Sequence, residues 1–281
     1  MSIQLPSIIA NVYGVRMGTS SRLPTPRVAS WGRVLGQLRS WSAGAEGPGD
    51  AAGSAPDGPT PDTTPVDAAT TAEQDAERFR RLLAKALGED PDMSGLRPAA
   101  LGSGARLVDA LADLFAGRSG LLSGIPDGTA DDREDAFVAR FVAAVGGDGG
   151  LIGDAVARRA ARRTAERLLA DDPTLASAVH SGVPSARVTG EVFCTAYRFF
   201  FGEFMGEFVR ASIAESVPLV LPVDPTGLIT AAVARKVVDL IPDPCDGAER
   251  RAPGPGRLAE TARELVTDAV ELALGLREEH P

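Results

Sequence analysis

At 281 residues, with 44% hydrophobic and 24% charged side chains, the chain is long enough to bury a substantial core in one large domain or two small ones. A net charge of −9 argues against general nucleic-acid binding by the whole chain. Two cysteines, neither in a CxxC pair, are too few for a disulfide framework and fit a reducing cytoplasm.

The charge is unevenly spread. Arg16, Arg22, Arg27, Arg33 and Arg39 give the first 45 residues +5 with no acid, leaving −14 on the rest. Only two of the 29 basic residues are lysines, the bias of a GC-rich, bacterial-type coding sequence, so no single arginine is read as a chosen ligand. The start, MSIQLPSIIANVYG, lacks the basic leading region of a secretory signal. No uninterrupted apolar run reaches the roughly 18 residues of a membrane-spanning helix.

Residues 1–26 read as irregular, punctuated by Pro6, Pro24 and Pro26. Trp31, Val34, Leu35, Leu38 and Trp41 then fall at helical spacing, with Arg27, Arg33 and Arg39 among the polar positions. This short amphipathic helix is marginal alone and needs a partner surface: its own domain, another protein or a membrane. Residues 1–42 are therefore expected to form a basic arm, with those eight side chains as its docking set. The Gly/Pro/Asp/Thr-rich text of 43–71 predicts a disordered linker.

Helical periodicity dominates from residue 72 to 281, predicting an all-α bundle of six to eight helices. Helices are expected over Ala72–Leu87, Arg106–Phe115, Ala130–Val145, Leu151–Leu169, around Leu175–His180, and over Ala186–Ser216. Asp224 and Pro225 have the chemistry of a cap and a first helical residue for a further helix running to Ile241. Residues 247–256 read as a loop, and a last helix aligns Leu258, Ala262, Leu265, Ala269, Leu272 and Leu276. The 186–216 helix carries Phe193, Tyr197, Phe200, Phe201, Phe204 and Phe208 on one face, which predicts the centre of the core. Gly202 and Gly206 lie on another face, where a neighbouring helix can come close.

Several constellations carry possible chemistry. Arg158, Arg159, Arg162, Arg163 and Arg167 crowd one helix and form a ridge for an anion or an acidic partner, or a solvated face paired with acids of the same chain. The glycines at 147, 149, 150 and 153 follow a helix-spaced segment, so they read as a turn between helices and not as a dinucleotide loop. Glu203 and Glu207 share a helix face, but the only histidines, His180 and His280, leave no Glu-x-x-His set for a metal-binding bundle. No GxSxG elbow is present.

Asp131-Asp132-Arg133-Glu134-Asp135 has the spelling DDxxD and resembles the aspartate-rich motif of class I terpene synthases and prenyltransferases. The resemblance covers five residues. It implies Mg²⁺ held by Asp131, Asp132 and Asp135, with a diphosphate substrate. Read from the residues themselves, these acids open a helix, where the dipole favours them.

The expectation that follows is a non-catalytic adaptor, cargo or structural component in the cytoplasm. It would dock to a larger protein assembly through the arm, with peripheral membrane contact as a sibling possibility and no cofactor. The alternative is a divergent Mg²⁺-dependent isoprenoid diphosphate enzyme.

Overall fold

The computed structural model describes residues 29–37, 65–90, 92–118, 120–147, 149–216, 227–250 and 256–277. Among these, every α or β element is a helix. In chain order they are α1 (residues 31–37), α2 (Pro65–Glu89), α3 (Leu96–Phe115), α4 (Ala130–Gly146), α5 (Ile152–Asp171), α6 (Pro173–Ser181), α7 (Gly190–Ser216), α8 (Leu228–Leu240), α9 (Pro244–Arg250) and α10 (Arg257–Ala273). The expected all-α bundle is what the chain forms.

Local chemistry explains many of the helix ends. Thr129 caps α4 by accepting the Asp132 N–H, and the Asp132 carboxylate accepts from Thr129 in return. Asp172 accepts from Thr174 N and Leu175 N ahead of Pro173, and Gly182 closes α6 in the left-handed region.

Helix α7 is the axle of the bundle. It packs chiefly against α5 and α8, with α3 and α10 closing over other parts of its surface. Six of its seven aromatics, the ones on the predicted face, are buried, Phe199 is half-buried, and Tyr197, Phe200, Phe201 and Phe204 form a run of edge-on and tilted rings. On the α8 side, a Cβ added to Gly202 would lie 2.5 Å from Val238 Cγ2 and 2.7 Å from the Ala234 carbonyl oxygen. The absence of a side chain there is what sets the spacing of the two helices.

Three expectations about element bounds are corrected. The proposed linker, 43–71, is helical from Pro65 onward, because proline at a first helical position starts a helix as readily as it punctuates a coil. Helix α3 begins ten residues before Arg106, running through Gly102 and Gly104. Gly104 is tolerated because Phe201 and Val266 pack where a Cβ would be, with nearest atoms at 3.0 and 3.1 Å. The first four residues of the supposed loop, 247–250, belong instead to α9, which packs on α10. Asp224 and Pro225 lie outside the described residues, and α8 is preceded instead by Gly227 with φ +68°.

Candidate functional site

The proposed docking helix is present in part, and its apolar face points inward. Trp31 is 7% exposed and stacks at a tilt on Phe208 of α7, with ring centroids 6.3 Å apart, and Val34 is fully buried. Ser30 Oγ donates to Glu89 at the end of α2 over 2.7 Å, and Gln37 Nε2 donates to Asp75 over 3.4 Å. The hydrogen bonds from Ser30 hold the Glu89 carboxyl below its usual range. Leu35 is half-buried and Arg33 is exposed. The expectation that α1 offers its apolar stripe to the outside is therefore corrected for Trp31 and Val34: the nearest apolar surface able to cover them belongs to this same chain. Arg27, Leu38, Arg39 and Trp41 lie outside the described residues.

The arginine ridge of α5 is mostly engaged within the chain. Arg162 pairs with Glu166 at 2.8 Å and Arg167 with Asp171 at 2.5 Å, both one helical turn on. Arg158 donates to the carbonyls of Gly147 and Gly149 at 3.2 and 2.9 Å, which closes the glycine-rich turn between α4 and α5. Arg163 approaches Glu166 and Glu207, each at 3.9 Å. Arg159 makes no ion pair or hydrogen bond among the described residues; it lines a cleft with Asp135, Val138, Val142, Arg158 and Arg162. Exposed pairs of this kind contribute about 0–1 kcal/mol each, so the ridge orders a surface more than it stabilises the fold.

The DDxxD acids sit at the start of α4. Asp132 Oδ2 accepts from Thr129 N at 3.0 Å and from Thr129 Oγ1 at 2.7 Å, which lowers its pKa. Glu134 bonds the His180 ring on α6, Asp131 is exposed, and Asp135 borders the arginine clefts. Neither cleft beside Asp135 is lined by an aromatic. The aromatic face that the resemblance would recruit for a hydrocarbon is solid core. These acids cap a helix and meet neighbouring side chains.

A different set of charges converges where α5, α7 and α8 meet, around a cleft of about 430 Å³. Arg167, Arg198, Arg210 and Arg235 stand around its rim with Glu203 and Asp239, over a floor that includes Phe199, Ala231, Ala234 and Val238. The Arg167 guanidinium lies 5.5 Å above the Phe199 ring. Arg198 donates twice to the Val238 carbonyl, at 3.1 and 2.9 Å, tying α7 to α8. Glu207 is buried against Arg210, and burial pushes the neighbouring Glu203 carboxyl above its usual range, opposed by Arg210. Three of the four guanidinium groups already meet acids of this chain, Arg167 with Asp171, Arg198 with Asp243 and Arg210 with Glu207. Sequence reasoning missed this cleft because its residues, from Arg167 to Asp239, come from three helices, and no local spacing marks them.

The cysteines give the second surprise. Cys194 of α7 and Cys245 of α9, 51 positions apart, form a disulfide with a Cα–Cα separation of 6.0 Å. Two cysteines make this single bridge and no larger framework, and the pairing is set by how α9 returns to α7. A comparison with family models, with curated proteins and with solved structures finds no match.

Proposed function

We propose that the chain is a non-catalytic helical adaptor, cargo or structural component that docks to a larger protein assembly through its N-terminal segment. The observation that supports this reading is the clasp at α1. Trp31 and Val34 turn inward while Arg33 stays exposed, so the bundle grips the base of a basic segment. In this proposal Trp31 is the anchor to the bundle and not to the partner. The docking element is the sequence ahead of it, with Arg16, Arg22 and Arg27 and no acid. Its charge selects an acidic surface and speeds encounter with it, and the bundle's arginine-rimmed cleft offers a second place for contact. A cytoplasmic location belongs to the same proposal. No helix among the described residues is long and apolar enough to cross a membrane.

Three proteins test this: the full chain, a truncation starting at residue 29 that keeps the clasp, and the full chain with Arg16, Arg22 and Arg27 changed to Glu. Cross-linking in the native cell should attach the full chain to one dominant protein partner and lose it in both variants, with bundle helicity unchanged. A truncated protein that keeps the same partner sinks the proposal. Binding of the full chain to anionic vesicles, without a protein partner, would transfer the segment's role to a membrane surface.

A further inference from the structure

Cys194 and Cys245 are the only cysteines in the chain, and the fold brings them together from two separate helices beside a carboxylate. One ligand atom from each of Cys194, Asp243 and Cys245 lies within 4.8 Å of the other two. Zinc takes thiolates at about 2.3 Å and carboxylate oxygens at about 2.0–2.2 Å, which places tetrahedral ligand atoms about 3.5–3.8 Å apart. The two sulfurs are bonded in the disulfide, so reduction must let them separate to that spacing, while the Asp243 oxygen already lies within 4.8 Å of both.

We propose that the reduced form of this site binds a single Zn²⁺ through Cys194 Sγ, Cys245 Sγ and a carboxylate oxygen of Asp243. Two thiolates and one carboxylate form a donor set suited to zinc and poorly suited to magnesium or calcium.

The surroundings fit such a site. Asp243 Oδ1 accepts the Cys245 backbone N–H at 2.8 Å, a contact that orients the carboxylate toward its own cysteine. Arg198 approaches the other oxygen at 3.6 Å, so a cation already stands against the excess negative charge of two thiolates and a carboxylate around one divalent ion. Cys245 Sγ lies 3.3 Å from the Gly190 carbonyl oxygen, which can accept a hydrogen bond from the free thiol before metal arrives. Cys194 is buried, whereas Cys245 and Asp243 are partly exposed, so one side of the site is open to an incoming ion and to a fourth ligand from water.

The two states are connected by balanced chemistry. An external dithiol reduces the disulfide, giving two protein thiols and its own cyclic disulfide, with two electrons and two protons transferred. Zinc binding then releases two protons as the thiols become thiolates. In an oxidising compartment the pair remains a covalent link between α7 and α9; in a reducing one the metal holds the same two helices together.

The test titrates Zn²⁺ against a chromogenic chelator, using full-length protein reduced and freed of reductant without oxygen, and oxidised protein as its control. Co²⁺ serves as a spectroscopic stand-in, because thiolate ligation gives an intense charge-transfer band. Reduced protein should bind one Zn²⁺ per chain and show that band, and oxidised protein should bind none. Asp243→Ala should weaken zinc binding by about tenfold or more, since losing even an outer partner of a zinc ligand costs about 10–100-fold. Cys194→Ser should abolish the cobalt band; if that variant does not fold, reduced wild type alkylated at its thiols after folding replaces it. Equal zinc binding by reduced and oxidised protein, or unchanged affinity in Asp243→Ala, overturns the proposal.

Discussion

Replacing Trp31 with alanine tests whether α1 is part of the cooperative fold or a clasp that opens by itself. The side chain is 7% exposed and lies on Phe208, and removing a buried tryptophan costs about 3–5 kcal/mol when the surrounding structure stays in place. Among the described residues, α1 is also held by Val34 in the core, Leu35 packed against it, Ser30 on Glu89 and Gln37 on Asp75. A segment this short does not hold helical structure in water without a surface, since isolated helices below about 12–15 residues are marginal. Trp31→Ala should therefore release α1 as a unit, and the loss of global stability should stop at the free energy of docking α1, below the full 3–5 kcal/mol. Phe208→Ala, at the other side of the same contact, removes a buried ring from the axle of the bundle and should cost the full about 3–5 kcal/mol. Urea denaturation of both variants measures the two losses. Hydrogen exchange supplies the local reading: amides of residues 32–37 lose protection in Trp31→Ala while those of α7 keep it. Equal losses for the two variants, with exchange rising throughout α2 and α7, would refute the clasp and make α1 an integral core helix. Fluorescence of Trp31 in a Trp41→Phe background gives a further check. Emission like that of free tryptophan, fully open to a soluble quencher, would show that α1 is not docked at all.

Two glycines one turn apart on α7 should respond with opposite signs. Gly202→Ala forces α8 away, because the obstructing atoms include the Ala234 backbone oxygen at 2.7 Å, and should destabilise by about 1–3 kcal/mol in denaturant melts. Gly206→Ala meets nothing nearer than 3.4 Å and should gain up to about 1 kcal/mol from helix propensity, so a loss in both would refute the spacing argument. Tyr197 Oη is buried with no hydrogen-bond partner among the described residues, and burial pushes its phenol well above the usual range. Tyr197→Phe should therefore raise stability by about 1 kcal/mol; a loss of that size would reveal a partner for the hydroxyl. Burial also raises the Glu203 carboxyl, so the native state holds that proton more tightly than the unfolded chain does. The sign follows: its contribution is fully present below the ordinary carboxylate value and fades as pH rises through the raised native value. Glu203→Gln should be increasingly stabilising relative to wild type from pH 4 to pH 7.5, and a difference that shrinks over that range would contradict the assignment.

The fold was legible wherever one helix carries its own signal. The apolar spacing of α7, the acids that open α4 and the short helix around Leu175–His180 were each read without reference to the rest of the chain. Errors came where composition was taken as structure. Residues 65–71 share the small, polar vocabulary of the preceding coil, yet Pro65 begins α2. The expected start at Arg106 left out Gly102 and Gly104, yet Gly104 is where Phe201 and Val266 come close to α3. At Gly104 the deciding partner is tertiary, and a weak local preference gives way to it.

The same distinction explains the site. An amphipathic stripe states that a helix has a partner and is silent on which one, so Trp31 and Val34 could be read outward or inward with equal justice until Phe208 was placed beneath them. The acids at 131–135 were legible as helix-openers because capping is local, with Asp132 and Thr129 only three residues apart. The rim of Arg167, Arg198, Arg210 and Arg235, and the meeting of Cys194 with Cys245, were not legible. In each, the distance that matters is measured across α5, α7 and α8 or from α7 to α9. Spacing rules for cysteines describe motifs whose partners share a turn or a loop. They exclude nothing when partners are 51 residues apart, and a count of two is the smallest number that still permits a pair.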